Sequence, residues 1–419
     1  RLIENCAHDR HLRKTTTRTS LVLIGSQAMF LALHWYLETY YVSPYFWLYG
    51  LVAAQVLAAA GLFASTLRTH KKTQLYITGE SLATSELPTV TVAIPARNET
   101  EALEDCLHAL IASDYPKLEI LVLDDCSQTK RTPEIIRSFA HDGVRFIKGT
   151  PPKENWLAKN QAYEKLSDEA SGEIIIFCGV DVRFASGTVR QLVLELLGRQ
   201  KRMMSVVPKR LHSNKPQAAF VQAARYLWEL TPPRRFVNRP PVLSSCWMMY
   251  RKDLKKLGGF DAVSRMIIPE AHFAKRLLSN DGYSLVRASR ELGLVSEKTH
   301  EAQRLTAIRT RYPQLRKRPE NVMAVTLLEL ALLVGPAVVM LLGLASFVSA
   351  PAALAAALSV ALLIASHVIV MVGTGVQRWF IAIWSFLPVA ITDLGLMHVS
   401  MQRYEFSEVI WKGRSVCIP

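Results

Sequence analysis

Apolar residues along this chain form two long blocks, and between them short apolar runs alternate with amphipathic ones. The long blocks lie before residue 68 and after residue 321. A helix needs about 20 apolar residues to cross a hydrocarbon core of about 30 Å. Residues 21–41, 45–67, 322–347 and 352–373 meet this requirement. The pattern therefore predicts one transmembrane hairpin on each side of a central domain.

The last apolar stretch, 379–399, is harder to interpret. A straight crossing would place Asp393 deep in lipid, at a cost of about 2.5–3.5 kcal/mol on insertion scales. Pro388 also weakens a straight helix. We favour an interfacial or re-entrant segment over a fifth span. For Glu329, in the third predicted span, we favour a hydrogen bond between helices over a role with an acceptor.

Basic residues set the expected orientation. They lie before the first predicted span and after the second, so the positive-inside rule places the central domain on the cytoplasmic side. The chain is expected to be an integral membrane protein, of a bacterial inner membrane. The expected division is a basic N-terminal segment 1–20, a transmembrane hairpin 21–67, a central domain 88–318, transmembrane or re-entrant helices 322–399, and a cytoplasmic tail 400–419.

The central stretch predicts an α/β domain. Its predicted strands are VTVAIP, LEILVL, GVRFI and GEIIIFC, and helices are expected over Glu101–Ala112, from about Thr132, and over Trp156–Ala170. Strands that alternate with helices of 10–15 residues indicate a mostly parallel, Rossmann-like sheet covered on both faces. Ligands of such sheets gather at the carboxyl ends of the strands.

Charge and cysteine content narrow the function classes. The net charge of +15 suits a nucleic acid, an anionic substrate or an anionic membrane surface. No helix-turn-helix, zinc-finger or RNP-like pattern appears, and several basic clusters flank the apolar spans, so we expect membrane contact and no nucleic-acid partner. The six cysteines show no CxxC spacing, which favours a reducing cytosolic setting over disulfides.

Four short motifs carry the candidate chemistry. They are PARNE at 95–99, LDDCS at 123–127, GVDV at 179–182 and PEAHFAKRL at 269–277. Each places acidic residues just after a predicted buried strand or at the start of a helix. Carboxylates at such places can hold a nucleotide, a divalent metal ion and an acceptor hydroxyl.

In this order and spacing, the motifs resemble those of family 2 glycosyltransferases of the GT-A fold, over about residues 88–318. The resemblance implies that Asp181, at the last acid of the family's DxD, ligates a divalent cation (Mg or Mn) on the donor diphosphate. A W-x-x-K-N-x-A-like segment makes Lys159 a candidate phosphate partner. The implied donor-binding residues are Arg97, Asn98, Glu99, Asp124, Asp125 and Lys159.

The fourth motif implies the catalytic base. Its alignment puts Glu270 where the family has an Asp that takes the proton of the acceptor hydroxyl, an effect typically of about 10²–10⁴-fold. One base with direct attack predicts inversion, because a double displacement would need a second carboxylate. The chain departs from the family in several places: Gly179 replaces the first DxD acid, and Q-x-x-R-W is reduced to Gln303 with Arg309 nearby.

The tail points to the acceptor. Trp411–Arg414 (WKGR) resembles a motif of membrane-bound members that transfer sugars to lipids, including the ceramide and hopanoid glucosyltransferase-like group. The expected acceptor or interface residues are Trp156, Gln303, Arg309 and Trp411. We therefore predict metal-dependent, inverting transfer of a single sugar from a nucleotide-sugar, with UDP-hexose as the expected donor, to a lipid or membrane-embedded acceptor. The alternatives are a processive polysaccharide synthase and a non-catalytic membrane protein that binds a nucleotide-sugar.

Overall fold

The computed structural model describes residues 44–75, 83–210, 216–232 and 240–417, with Gly25 and Met29 as isolated positions. The basic segment predicted at 1–20 and the span predicted at 21–41 therefore lie outside the described residues, apart from those two positions.

A seven-stranded sheet forms the centre of the domain, in the order β3-β2-β1-β4-β8-β6-β9. Strand β8 is antiparallel to both of its neighbours, and the other neighbouring pairs are parallel. The mostly parallel sheet predicted from the sequence is thus confirmed. The strands are β1 (Val90–Ala96), β2 (Leu118–Asp124), β3 (Val144–Lys148), β4 (Ile174–Cys178), β6 (Met203–Val207), β8 (Cys246–Tyr250) and β9 (Tyr283–Arg287).

Helices cover both faces of this sheet, because its inner strands carry apolar side chains on both faces. In β4, for example, Ile174 and Ile176 belong to one apolar cluster, and Ile175 and Phe177 belong to the cluster on the opposite face. The helices of the domain are α2 (Glu101–Ile111), α3 (Arg131–Ser138), α4 (Ala158–Glu169), α5 (Thr188–Gly198), α6 (Pro216–Leu230), α7 (Arg251–Lys256), α8 (Pro269–Leu278) and α9 (His300–Gln314).

Two small sheets complete the described strands. Strands β5 (Val182–Arg183), β7 (Lys209–Arg210) and β10 (Val295–Ser296) pair in the order β5-β10-β7. Near the C-terminus, β11 (Ile410–Trp411) and β12 (Arg414–Ser415) form an antiparallel pair, called here the C-terminal hairpin. Its turn residues Lys412 and Gly413 both have positive φ, +46° and +77°.

Within the described ranges, four helices are long and apolar enough to cross a membrane. Helix α1 (Pro44–Lys72) precedes the domain. Three follow it: α10 (Pro319–Leu344), which contains a π-helical turn at Leu330–Val334, α11 (Ala350–Thr374) and α12 (Trp379–Glu405). Apolar helices therefore flank the α/β domain on both sides in the sequence.

The structure shows no re-entrant turn within 379–399, and the interfacial alternative stays a prediction. Helix α12 is continuous over 27 residues and contains Pro388 without a break. Asp393 does not face outward, since Arg311 of α9 pairs with it and Trp228 Nε1 donates to its Oδ2 at 2.5 Å. A paired acid in the helix interface costs far less than an isolated one in lipid, so the reason for expecting a re-entrant turn disappears. The number of membrane crossings stays a prediction.

Glu329 of α10 lies in the same polar cluster. Its Oε1 is 3.6 Å from Nη2 of Arg311, and both side chains are buried. This ion pair joins α10 to α9, a polar contact between helices of the kind that the sequence favoured for Glu329.

Candidate active site

The first two motifs meet because β1 and β2 are parallel neighbours in register. Ala96, the last residue of β1, lies opposite Asp124, the last residue of β2. The backbone N–H of Asp125 donates to the carbonyl of Ala96 at 2.8 Å. The residues that follow both strands, Arg97–Glu99 and Asp125–Ser127, therefore form one edge of the site.

A hydrogen-bond network fixes the loops at this edge. Ser127 donates through its backbone and its hydroxyl to Oδ1 of Asp124, and accepts from the backbone N–H of Asn98 at 2.9 Å. The Asn98 side chain also donates through Nδ2 to Oε1 of Gln128 and accepts at Oδ1 from the backbone N–H of Gln128. Asn98 has a φ of +50°, a conformation that asparagine adopts more readily than most residues. These hydrogen bonds hold both loops in place, as a preformed pocket for a small ligand requires.

The C-terminal hairpin closes over the same edge. Arg414 Nη1 donates to both carboxylate oxygens of Asp125, at 2.8 and 2.7 Å, and Lys412 forms an ion pair with Glu99. Arg97 lies between them: its Nε donates to the carbonyl of Lys412 at 3.0 Å and its Nη1 to the carbonyl of Asp125 at 2.6 Å. The hairpin is thus part of the site rather than a peripheral tail.

Sequence reasoning did not place Lys412 and Arg414 in the site. The WKGR motif was the available signal, but local sequence does not say which acids its two cations meet. Burial lowers the pKa of Lys412 to about 8, with the nearby Arg97 acting in the same direction. Burial also raises the pKa of Asp125, although Arg414 and Arg97 oppose that rise. The hairpin and the strand ends therefore hold partly desolvated charges in contact.

Asp181 lies in the turn between β4 and β5, and its Oδ2 is buried without a hydrogen-bond partner among the described residues. Its Oδ1 turns back toward Gly179, so that a Cβ built at Gly179 would lie only 2.6 Å from it. The glycine in place of the family's first acid therefore leaves room for this carboxylate orientation. A larger residue at position 179, such as the acid found there in the family, would force the Asp181 side chain to move.

Lys298, a partly buried cation, interacts electrostatically with Asp181. Burial lowers the pKa of Lys298 to about 8, while Asp181 opposes this and Arg225 and Arg309 reinforce it. Lys298 follows β10, whose neighbour Glu297 donates its backbone N–H to the carbonyl of Asp181 at 2.9 Å. Lys298 and Arg225 are further residues that the sequence did not single out, since a lone basic residue has no distinctive pattern.

Glu270 lies in the first turn of α8, and its side chain is fully buried. Neither carboxylate oxygen has a hydrogen-bond partner within the described part of the chain. Burial raises the pKa of the Tyr163 hydroxyl most, and Glu270 and Asp181 both raise it further. Both carboxylates therefore act electrostatically on one buried group.

Helix α4 holds the loop that leads to Glu270. Asn160 is fully buried, and its Nδ2 donates to the carbonyls of Val263, Ser264 and Met266 at 2.8, 3.0 and 2.9 Å. One turn later, Glu164 accepts from the backbone N–H of Phe260 at 2.7 Å. Side chains four apart lie on the same helix face, so α4 clamps residues 260–266 and thereby positions α8.

A cavity of about 260 Å³ lies between the start of α4, α9 and the C-terminal hairpin, and is called here the hairpin cavity. Three of the four residues expected at an acceptor or interface line it, and Arg309 stacks on the Trp411 ring at 5.3 Å. Gln303, the fourth, is buried on α9 and does not line it. The lining residues are Pro152, Trp156, Leu157, Ala158, Lys159, Asn160, Ile267, Arg309, Trp411, Arg414, Ser415 and Val416.

The residues present fit a divalent cation only when it is shared with a ligand. Where the structure describes the chain, no group of three or more His, Cys, Asp or Glu side chains could hold a metal ion. The unpartnered Oδ2 of Asp181 is one available oxygen ligand. Mg²⁺ is commonly bound through one or two carboxylates together with substrate phosphates, so a single acid is compatible with a metal that arrives with a diphosphate.

Comparison with known proteins matches part of the central domain to one family. Residues 91–258 match the family described as glycosyl transferase family 2. The chain is 37% identical over 102 residues to the glycosyltransferase AglE of Haloferax volcanii, which covers 23% of this chain and 32% of that protein. It is 31% identical over 121 residues to a 4,4'-diaponeurosporenoate glycosyltransferase of Staphylococcus aureus, covering 28% and 31%. The chain thus spans about a third of the length of these curated relatives.

Among solved structures, the chain is similar to a mannosyltransferase of Pyrobaculum calidifontis in complex with GDP-Man and Mn2+. The similarity covers 83% of this chain and 98% of that one, at 21% identity and a TM-score of 0.49.

Proposed function

The central domain is a family 2 glycosyltransferase domain of the GT-A fold, and from that premise we propose that the protein transfers a single sugar from a nucleotide-sugar, with UDP-hexose the expected donor, to a lipid or membrane-embedded acceptor. The observation that carries the proposal is Glu270, a fully buried carboxylate that has no hydrogen-bond partner among the described residues. Burying a carboxylate without hydrogen bonds is costly, and proton transfer from a substrate hydroxyl is a function that accounts for it.

Donor binding is assigned to the edge formed by β1, β2 and the C-terminal hairpin. Asp124 and Asp125 would contact the nucleoside, with Asn98 and Glu99 beside them. Arg414 occupies only part of the hydrogen-bonding capacity of Asp125, because an ionised carboxylate accepts at about four lone-pair positions. Arg97 and Lys412 tie the two loops together, so that the pocket is ordered before the donor arrives.

Glu270 would act as the general base. As the acceptor oxygen attacks the anomeric carbon, its proton passes to the Glu270 carboxylate, and the bond from the anomeric carbon to the diphosphate oxygen breaks. Attack from the face opposite the leaving group inverts the anomeric centre. Lys159, which interacts electrostatically with Glu270, would compensate the charge that develops on the diphosphate.

A divalent cation bound with the donor would add Lewis-acid stabilisation of the diphosphate leaving group. Asp181 is the side chain proposed to hold it, with the remaining ligands supplied by donor phosphates and water.

The flanking apolar helices support membrane association of the protein. We propose that α1, α10, α11 and α12 lie in the bilayer and that the domain faces the cytoplasm, as the positive-inside rule predicts. Trp156, Arg309 and Trp411 line the hairpin cavity beside Lys159. The acceptor would bind there, between the domain and the membrane helices.

The test incubates the purified full chain with radiolabelled UDP-hexoses, Mg²⁺ or Mn²⁺, and a membrane lipid extract. A single new labelled lipid supports the proposal. A ladder of sizes would instead indicate processive synthesis, and donor binding without product would indicate a non-catalytic protein.

A substitution assigns the base. Glu270→Gln keeps the shape of the side chain but cannot accept a proton, so we expect unchanged donor affinity and a loss of turnover of about 10²-fold or more. Glu134→Gln is the matched control, because Glu134 also lies in the first turn of a helix but is exposed. Unchanged turnover in Glu270→Gln would remove Glu270 from the mechanism.

A further inference from the structure

The hairpin cavity has an unbalanced charge. Three of its lining residues are cationic, Lys159, Arg309 and Arg414, and no acidic residue is among those that line it. Asp125 engages Arg414 from outside the lining, and Glu270 interacts with Lys159 and Arg309. Three cations therefore face two acids.

A further cation increases this excess. Burial lowers the pKa of Lys159 and that of Arg309, and Arg225 lowers both further. Desolvated cations that repel one another are costly unless an anion joins them. The region is thus arranged to receive negative charge.

The apolar part of the wall of the hairpin cavity leads toward the flanking helices. Leu157 and Val416 belong to one apolar cluster, against which Ile267 and Trp411 pack. The same cluster contains Val322 of α10 and Met397 and Tyr404 of α12, two helices long and apolar enough to cross a membrane. A ligand with an anionic head and a hydrocarbon chain matches both parts of this environment.

We propose that the hairpin cavity binds a phosphate head group of the acceptor amphiphile, held by Lys159, Arg309 and Arg414. Helix α4 begins at Ala158, and the first backbone N–H groups of a helix have no partner within it, so this helix start can add donors suited to a phosphate. A phosphate dianion fits three cations better than a neutral head or a single carboxylate. That the bound amphiphile is the sugar acceptor rests on the proposed function, whereas the binding of a phosphate amphiphile does not depend on it.

The diphosphate of the donor is the other anion that could occupy the hairpin cavity. Of the residues expected to bind the donor, the lining contains only Lys159. It favours the lipid source because it joins the apolar cluster of α10 and α12. The phosphate acts as an anchor only: a separate hydroxyl of the acceptor loses its proton to Glu270, forms the new glycosidic bond and displaces the nucleoside diphosphate.

The experiment measures retention of radiolabelled decyl phosphate by the immobilised full chain in a neutral detergent, with unlabelled decyl phosphate, decanol and UDP as competitors. We expect decyl phosphate to compete at least about tenfold better than decanol, and UDP not to displace the label. Decanol competing equally would refute a phosphate site, and displacement by UDP would assign the anion site to the donor.

Substitutions locate the site. Arg309→Gln should weaken decyl phosphate binding about tenfold or more, because it removes a charged hydrogen-bond donor, whereas Arg309→Lys should retain most of the affinity. Arg304→Gln, an exposed arginine on the same helix, is the matched control. Equal binding by Arg309→Gln and Arg304→Gln would overturn the assignment.

This measurement needs no sugar transfer. If decyl phosphate binds as expected while the lipid extract yields no labelled product, the transferase proposal fails and the phosphate site stands. If a neutral lipid is glycosylated and decyl phosphate does not bind, the phosphate site alone is refuted.

Discussion

Replacing Asn160 tests whether α4 positions the proposed base from a distance. Asn160→Ala removes the Nδ2 group that donates to three carbonyls of the loop 263–266, while leaving Lys159 and Glu270 unchanged. Since the loop leads directly into α8, its relaxation should shift Glu270 relative to the acceptor. The predicted effect is on turnover more than on donor binding.

The magnitude follows from the hydrogen bonds lost. Two N–H groups serve the three carbonyls, and a net hydrogen bond contributes about 0.5–1.5 kcal/mol, with about 1–3 kcal/mol for each buried group left unsatisfied. We therefore expect the free energy of unfolding to fall by about 2–4 kcal/mol. A displacement of Glu270 by ~1 Å would lower turnover by ~10²-fold, which corresponds to about 2.7 kcal/mol in activation free energy.

The assay combines thermal unfolding, UDP binding and single-turnover transfer by the purified full chain. Donor affinity should change by less than about threefold, because the strand-end carboxylates share no hydrogen bond with Asn160. Asp168→Ala, an exposed position on the same helix, is the control. Turnover per folded molecule equal to wild type would refute the positioning role, and so would equal losses of donor affinity and turnover.

Three further predictions concern the donor edge. Arg414→Gln should weaken UDP binding about tenfold or more, because it leaves the buried carboxylate of Asp125 without its partner. Arg414→Lys should weaken binding less. Equal UDP affinity of the wild type and both variants would remove the hairpin from the donor site. Lys298, with a pKa of about 8 against an ordinary 10.5, is charged below that pH, so UDP affinity should fall as pH rises through about 8 and this component should vanish in Lys298→Gln. Between about pH 8 and 10.5, Lys298 is protonated in the unfolded chain but not in the folded one, so the free energy of unfolding should rise with pH over this range. UDP affinity should fall over the same range. A rise or a fall of both quantities together would contradict the role of Lys298. Gly149→Ala would place a Cβ 2.5 Å from the carbonyl oxygen of Asp124. We expect the free energy of unfolding to fall by about 1–3 kcal/mol and UDP binding to weaken, as measured by denaturation and by UDP titration. A variant with unchanged stability and affinity would show that the end of β2 is not rigid.

The sequence did not reveal polar contacts between residues far apart in the chain. Asp393 looked costly in a straight helix because the sequence shows no partner for it, yet Arg311 lies 82 positions earlier and pairs with it. Arg414 likewise reaches Asp125 across 289 positions. In both cases the side chain was identified but its environment was not.

The sequence by itself determined the alternation of strands and helices, the mostly parallel sheet and the placement of Arg97–Glu99, Asp124–Asp125 and Asp181 after strands. Backbone geometry and the burial of apolar faces impose these features locally, so that periodicity reports them. Only the tertiary structure decided that the C-terminal hairpin closes over the ends of β1 and β2, that Asn160 holds the loop before Glu270, and that three cations line one cavity. Those contacts depend on distances between segments far apart in the chain, and no local pattern of apolar and polar residues encodes such distances.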